Sequence, residues 1–340
     1  MYSPDSAPAP CDFSGGRRVG RQRLRVLIVT PAPPKSRLGN RITALRWSRL
    51  LREAGHEVVI TQRFDRQRCD ALIALHARRS HDSLARFRRL RPHSPLILAL
   101  TGTDLYGDIH RDESARLSLE WAHRYILLQE AGVEELPICL RDRARVIVQS
   151  VRPPKGLPLP SRRGRFEVCV VGHLREVKDP FRAAAAARLL REGSMVKILH
   201  VGGAMTAQME TRARDEERNN PRYEWLGELS HGRTLRLIAR SRVMVLSSQM
   251  EGGANVVCEA LACGTPVISS HISGSIGLLG AAYPGYFPYG DTTVLARMLS
   301  RSEESPEYLE SLRQAGRSRA HLVDPAHERD SLQSLLAEFD

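Results

Sequence analysis

The sequence predicts an α/β protein with two doubly wound, Rossmann-like domains and a cleft between them. Three observations carry that expectation. Apolar runs without polar alternation, such as residues 24–29 (LRVLIV), 70–75 (DALIAL) and 95–100 (PLILAL), alternate with stretches of helical periodicity. That is the pattern of strands buried on both faces of a parallel sheet and of the helices that connect them. The alternation occurs twice, on either side of residues 151–164 (VRPPKGLPLPSRRG), where four prolines and two glycines leave no periodicity and mark a linker. At 340 residues, the chain is long enough for two domains of about 150 residues each.

Composition narrows the function classes. An apolar content of 42% and a charged content of 26% are ordinary for a globular chain. No apolar run approaches the roughly 20 residues that span a bilayer. The first 23 residues lack the apolar stretch of a signal peptide and read as a flexible arm. The net charge of +13 raises nucleic acid as a partner, but 47 of the 51 basic residues are arginines scattered along the chain. Only Lys35, Lys155, Lys178 and Lys197 are lysines, and no helix-turn-helix, zinc-finger or aromatic RNA-binding pattern accompanies them. Small anionic substrates suit the charge better. Six cysteines (Cys11, Cys69, Cys139, Cys169, Cys258 and Cys263) form no C-x-x-C pair. The expectation is a reducing cytoplasm, with neither a disulfide framework nor a zinc site.

In chain order, the strand at 24–29 is followed by a loop, and residues 41–54 place Ile42, Leu45, Trp47, Leu50 and Leu51 at near-helical spacing. Gly55 ends that helix, and a second strand begins at His56. The third strand ends in His76-Ala77-Arg78-Arg79-Ser80, and the fourth in Thr101-Gly102-Thr103-Asp104. Residues 125–128 and 146–148 read as later strands. Ligands of open α/β sheets bind beyond the carboxyl ends of the strands, so Lys35, Arg37, Arg41, His76, Arg78, Arg79, Thr103 and Asp104 converge on one rim. Gly39-Asn40 marks a helix start at that rim. The expected divisions are an arm (1–23), a first domain (24–150), the linker (151–164), a second domain (165–304) and a charged helical tail (305–340).

In the second half, residues 166–171 form a strand, 172–180 its loop, 181–191 a helix and 195–201 another strand. A helix at 234–239 precedes the most informative stretch, residues 245–270 (VLSSQMEGGANVVCEALACGTPVISS). There, Glu251-Gly252-Gly253 opens a helix whose apolar positions are Val256, Val257, Ala260 and Leu261, Gly264 stops it, and Pro266 begins a strand. A glycine turn at a helix start presents free amides and the positive end of the helix dipole, which suits a diphosphate. Glu259 lies about 8 Å further along, far enough to accept hydrogen bonds from sugar hydroxyls without facing the phosphate charge.

The run E-G-G-A-N-V-V-C-E-A-L-A-C-G-T-P-V resembles the donor-site signature of retaining GT-B glycosyltransferases of the GT4 type, with seven residues between two glutamates. The resemblance implies that Glu259 holds the ribose and Glu251 lies near the donor sugar. It further implies that the amides of Gly252, Gly253, Ala254 and Asn255, with Val256 beside them, hold diphosphate and sugar. In the loop Gly172-His173-Leu174-Arg175-Glu176-Val177-Lys178, Lys178 matches the family's diphosphate lysine. The family's arginine is replaced by His173, and Arg175 is the nearest cation to make up for it. Glu224-Trp225-Leu226-Gly227 corresponds to a loop whose backbone reads the nucleobase, although Trp225 reads equally well as a core aromatic. Ser247 and Ser248 read as turn residues or as donors to the site. Amides and Lys178 meet the leaving-group charge, and no D-x-D motif is present, so neither metal nor cofactor is expected.

The amino-terminal rim departs from that family. Many relatives carry a histidine where Thr101 stands, and this rim has gained Lys35, Arg37, Arg41, Arg78 and Arg79. An acceptor that is itself a small anion would suit those cations. The stretches LIVTPAPPKSRLGNRITALRWSRLLREAGHEV, ALIALHARRS and ALTGTDLYGD are similar to the selenosugar synthase branch of these enzymes, which acts in selenoneine biosynthesis. What this resemblance implies is transfer of a sugar from a UDP-sugar, typically UDP-N-acetylglucosamine, to selenophosphate, with His76 and Asp104 at the reacting centre. The alternative is a retaining transferase that acts on a hydroxyl. The resemblance also suggests that the last helix crosses back to the first domain.

Overall fold

The computed structural model describes residues 23–36, 38–159 and 164–339. The expected arm, apart from Arg23, and the acceptor candidate Arg37 lie outside the described residues. The first sheet is built from β1 (Arg25–Val29), β2 (Glu57–Thr61), β3 (Ala71–Leu75), β4 (Leu96–Leu100), β5 (Arg124–Leu127) and β6 (Ala144–Val146). Its order is β2-β1-β3-β4-β5-β6, every pair parallel. Helices α1 (Gly39–Glu53), α2 (His81–Leu90), α3 (Ile109–Arg111) and α4 (Glu113–Trp121) connect these strands. The central strands β3 and β4 are buried along their whole length, as continuous aliphatic runs require. The register sets Ile28, Ile73 and Ile97 side by side, in one core with Trp47, Leu50 and Leu51 of α1. Each such side chain contributes roughly 1.5–3 kcal/mol by leaving water.

The second sheet comprises β7 (Phe166–Val171), β8 (Val196–Val201), β9 (Tyr223–Trp225), β10 (Val243–Leu246), β11 (Val267–Ser270) and β12 (Tyr286–Phe287). Its order is β12-β11-β10-β7-β8-β9, again wholly parallel. The helices are α5 (Arg182–Arg188), α6 (Ala207–Asn219), α7 (His231–Arg240), α8 (Asn255–Cys263), α9 (Ser273–Leu279), α10 (Thr292–Glu304), α11 (Pro306–Arg319) and α12 (Pro325–Ala337). No helix of the described residues is long and apolar enough to cross a membrane. Cys69, Cys139, Cys169, Cys258 and Cys263 are free thiols.

Two expectations shift. The sixth strand lies at 144–146 rather than 146–148, because Ile147 and Val148 are apolar residues that turn from the sheet edge into the core. The segment beyond 305 divides in two. Tyr308, Leu309 and Leu312 of α11 belong to the second domain's core, whereas Leu332, Leu335 and Leu336 of α12 complete the core of the first.

Candidate active site at the interdomain cleft

At the start of α8 the N-cap position is Ala254, which has no side-chain oxygen to cap the helix. The Val257 amide donates to the Ala254 carbonyl at 2.8 Å, and the first-turn amides ahead of it have no side-chain cap and suit a ligand or water. Beside them, Glu251 Oε1 accepts from both Lys178 Nζ and Ser248 Oγ, the latter at 2.6 Å. The sequence left Ser248 between a turn residue and a donor; it is a donor. Ser270 Oγ in turn donates to the Ser248 carbonyl at 2.6 Å, so the end of β11 braces the loop. Lys178 is presented by a tight turn in which Asp179 adopts a left-handed conformation, φ 43°. Ser247 Oγ donates to the Asp179 carbonyl at 2.8 Å, and the Gln249 amide donates to the Val177 carbonyl at 2.9 Å. The loops after β7 and β10 are thus stitched into one surface.

Behind that surface lies His200, fully buried at the end of β8, between Tyr223 OH at 3.0 Å and the Gly172 carbonyl at 3.2 Å. Burial pushes its pKa down to about 4, so the ring is neutral and bridges a hydroxyl to a carbonyl. Gly202 packs so closely on Gly172 that a β-carbon there would lie 1.9 Å from the Gly172 oxygen. The Trp225 indole, also buried, donates to the Gly202 carbonyl at 2.8 Å and lies under the Arg214 guanidinium. The ring thereby holds the glycine turn, and what the Glu224–Gly227 loop offers a base is its backbone. His173, expected to replace a cation, sits with Nδ1 3.9 Å from Glu228, while the Arg175 side chain is exposed.

Glu259, one turn into α8 from Asn255, accepts a hydrogen bond from His231 Nε2 at 3.0 Å. That bond raises the His231 pKa above its ordinary value. His231 opens α7 and was not singled out in the sequence. Its only signal there is its place four residues beyond the Glu224–Gly227 loop.

On the first domain, His76 opens the turn after β3 in a left-handed conformation (φ 78°) that a non-glycine residue adopts under strain. Its ring is buried, with Nε2 3.4 Å from Thr103 Oγ1 and 3.8 Å from Asp108. Burial lowers its pKa, and the opposing pull of Asp104 and Asp108 is weaker. Asp104, expected at the reacting centre, has its carboxylate taken up by backbone amides. It is 0% exposed, and its carboxylate accepts the amides of Ala77, Thr101 and Gly102 at 2.8–3.0 Å, tying the turns after β3 and β4 together. The cationic rim is also less bare than expected, because Asp108 pairs with Arg78 at 3.2 Å. Lys35 and Arg79 are exposed, and Arg41 is half-buried with its Nε lacking a partner among the described residues.

The two halves meet backbone to backbone. A β-carbon on Gly252 would lie 2.4 Å from Gly102 Cα, and one on Gly253 would lie 2.3 Å from Leu128 Cβ. Gly39, at the start of α1, has Asn255 as its nearest neighbour across the cleft, 4.0 Å from where a β-carbon would stand. Two helix N-termini therefore face each other, with Lys178 and Glu251 beside one of them. Such a cleft suits a molecule carrying negative charge near its middle.

Residues 157–319 match the family model described as glycosyl transferases group 1. No relative was found among curated protein sequences. Among solved structures, the chain is similar to sucrose-phosphate synthase from Thermosynechococcus elongatus, at 18% identity and a TM-score of 0.73 over 93% of this chain and 99% of that one. HepE of Anabaena, in complex with UDP-glucose, matches at 14% identity and a TM-score of 0.69 over 93% and 100% of the two chains. A glycosyltransferase from Rickettsia africae matches at 12% and 0.71, over 93% and 98%. The fold is the GT-B arrangement of two Rossmann-like domains, and the family match falls on the second of them.

Proposed function

We propose, from a second domain of the group 1 glycosyltransferase type, that the protein transfers a sugar from a UDP-sugar, with UDP-N-acetylglucosamine the first candidate, to selenophosphate. The observation that carries the donor half is the pairing of Lys178 with Glu251 at the uncapped start of α8, opposite the start of α1. Lys178 and the amides of residues 252–256 would meet the charge that develops on the departing diphosphate oxygen. Glu251, held by Ser248, would bear on the donor sugar, and Glu259 on the ribose. HepE, with the same fold, has been seen with UDP-glucose, which supports a uridine nucleotide here.

The acceptor half rests on the sequence resemblance and on the cations Lys35, Arg41 and Arg79 at the rim. Selenium would attack the anomeric carbon with its lone pair while the bond to the diphosphate oxygen breaks and its electrons leave with UDP. Selenophosphate is already anionic and soft, so no strong base is needed. Water would then cleave the selenium–phosphorus bond, with phosphorus taking the hydroxyl and selenium the proton. Neither metal nor cofactor takes part in this reading. One observation favours a second reading: His76 is held neutral beside Thr103, an arrangement suited to orienting a hydroxyl acceptor.

The test is parallel quantification of UDP, phosphate and glycosylated product when purified protein meets a UDP-sugar panel. Selenophosphate and simple sugar alcohols are offered separately, with and without EDTA. The expected result is equal release of UDP and phosphate with selenophosphate, unaffected by EDTA. UDP release that requires an alcohol and ignores selenophosphate would select the second reading.

A further inference from the structure

We propose that His231 is a positioning residue for nucleotide recognition: its Nε2–H holds the Glu259 carboxylate in the orientation that receives ribose hydroxyls. The inference rests on the assignment of Glu259 to the ribose and adds a residue that assignment does not contain.

The geometry is specific. Glu259 lies on α8, and His231 lies at the first position of α7, so two helices are needed to bring them together. The Nε2 to Oε1 distance is 3.0 Å, and this is the one hydrogen bond Glu259 receives among the described residues. Oε2 thereby has no donor among the described residues, on a side chain that is 13% exposed. A free glutamate samples several rotamers and must be ordered when its ligand binds, which costs affinity. A carboxylate already tethered through one oxygen presents the other in a fixed direction. The tether itself is the more open partner, its side chain 64% exposed against 13% for the acid. Charge around the pair is mixed. Arg46 of α1 lies close enough to oppose protonation of His231, and Glu259 favours it. The N–H donor is present in both protonation states once the pair has formed, so the tether does not depend on ring charge.

Removal of the tether should cost affinity only where ribose hydroxyls are read. Calorimetric titration of UDP and of 2′,3′-dideoxy-UDP separates that effect from a general disturbance of α7. For His231→Ala, UDP should bind about fivefold more weakly, the loss of one ordinary hydrogen bond. Dideoxy-UDP should bind as it does to the unaltered protein. His231→Gln, whose amide also donates, should restore most of the loss, and both variants should keep the parent melting temperature. Equal weakening of both ligands, unchanged or tighter UDP binding, or no rescue by glutamine would overturn the proposal. Glu259→Ala serves as the reference. If it leaves the preference for UDP over dideoxy-UDP intact, the ribose assignment itself fails. If it abolishes the preference while His231→Ala leaves the preference unchanged, only the role of His231 fails.

Discussion

At the residue scale, the candidate site depends on buried polar groups whose hydrogen bonds are made to the protein itself. His200 shows how. It must remain neutral to join Tyr223 to the Gly172 carbonyl, and burial depresses its pKa from 6.5 to about 4. The unfolded chain takes up a proton on this ring as pH falls below 6.5, while the folded chain does not until about 4. Folding stability is therefore lost as pH falls through that window, at up to about 1.4 kcal/mol per pH unit. Denaturant midpoints measured at pH 7 and pH 5 should drop for the natural protein and drop less for His200→Gln. A variant with the same drop would exclude His200 as the cause. The loop bearing Lys178 was legible from its sequence pattern, but its support was not, because α5 separates Gly172 from the strand that carries His200.

At the element scale, the close approach of the loops after β4 and β10 makes glycine obligatory. Gly252 and Gly102 meet through backbone atoms, and a β-carbon 2.4 Å from Gly102 Cα cannot be relieved by a rotamer change. Gly252→Ala must push the loops apart by about 1 Å, and misplacement on that scale can cost about 10²-fold in rate. The expected outcome is a fall in kcat of that order with UDP affinity within a few-fold of the parent, measured by steady-state kinetics and calorimetry. Loss of UDP binding instead would place the damage in the donor loop alone. The sequence marked Gly252 as the opening of a phosphate-binding turn. Its second task, to admit the other domain, depends on the partner Gly102 and could not be read from either loop separately.

At the scale of the whole molecule, α12 returns to the first domain and is locked there by Glu328. That carboxylate is 0% exposed and accepts from Arg46 Nε at 3.1 Å, Trp47 Nε1 at 2.8 Å and the Ser150 amide at 2.8 Å. It joins α1, the end of the first domain's chain and the carboxyl terminus at one point. Deleting one partner of a buried ion pair leaves the other charge unmet and costs about 3–5 kcal/mol. Glu328→Ala should lower stability by that order in urea, and Glu328→Gln, which keeps acceptor capacity, by less. If neither changes the unfolding midpoint, the clasp does not hold the domains.

What the sequence determined by itself were features written in local pattern. Aliphatic runs without alternation announced two parallel sheets, the proline-rich stretch announced the linker, and the spacing of Glu251, Gly252, Gly253 and Glu259 placed a glycine turn and two acids along one helix start. Such features follow from neighbours a few residues apart, where backbone periodicity and glycine chemistry decide. Tertiary structure alone decided which polar groups face ligand and which face the protein. Asp104 reads like a rim acid in sequence, yet three backbone amides claim it and none of it reaches solvent. Asp108, unremarked in sequence, answers Arg78, and His231 reaches Glu259 across two helices. A side chain's hydrogen bonds are settled by whatever the fold brings within about 3 Å of it, and chain spacing carries little information about neighbours brought together from distant elements.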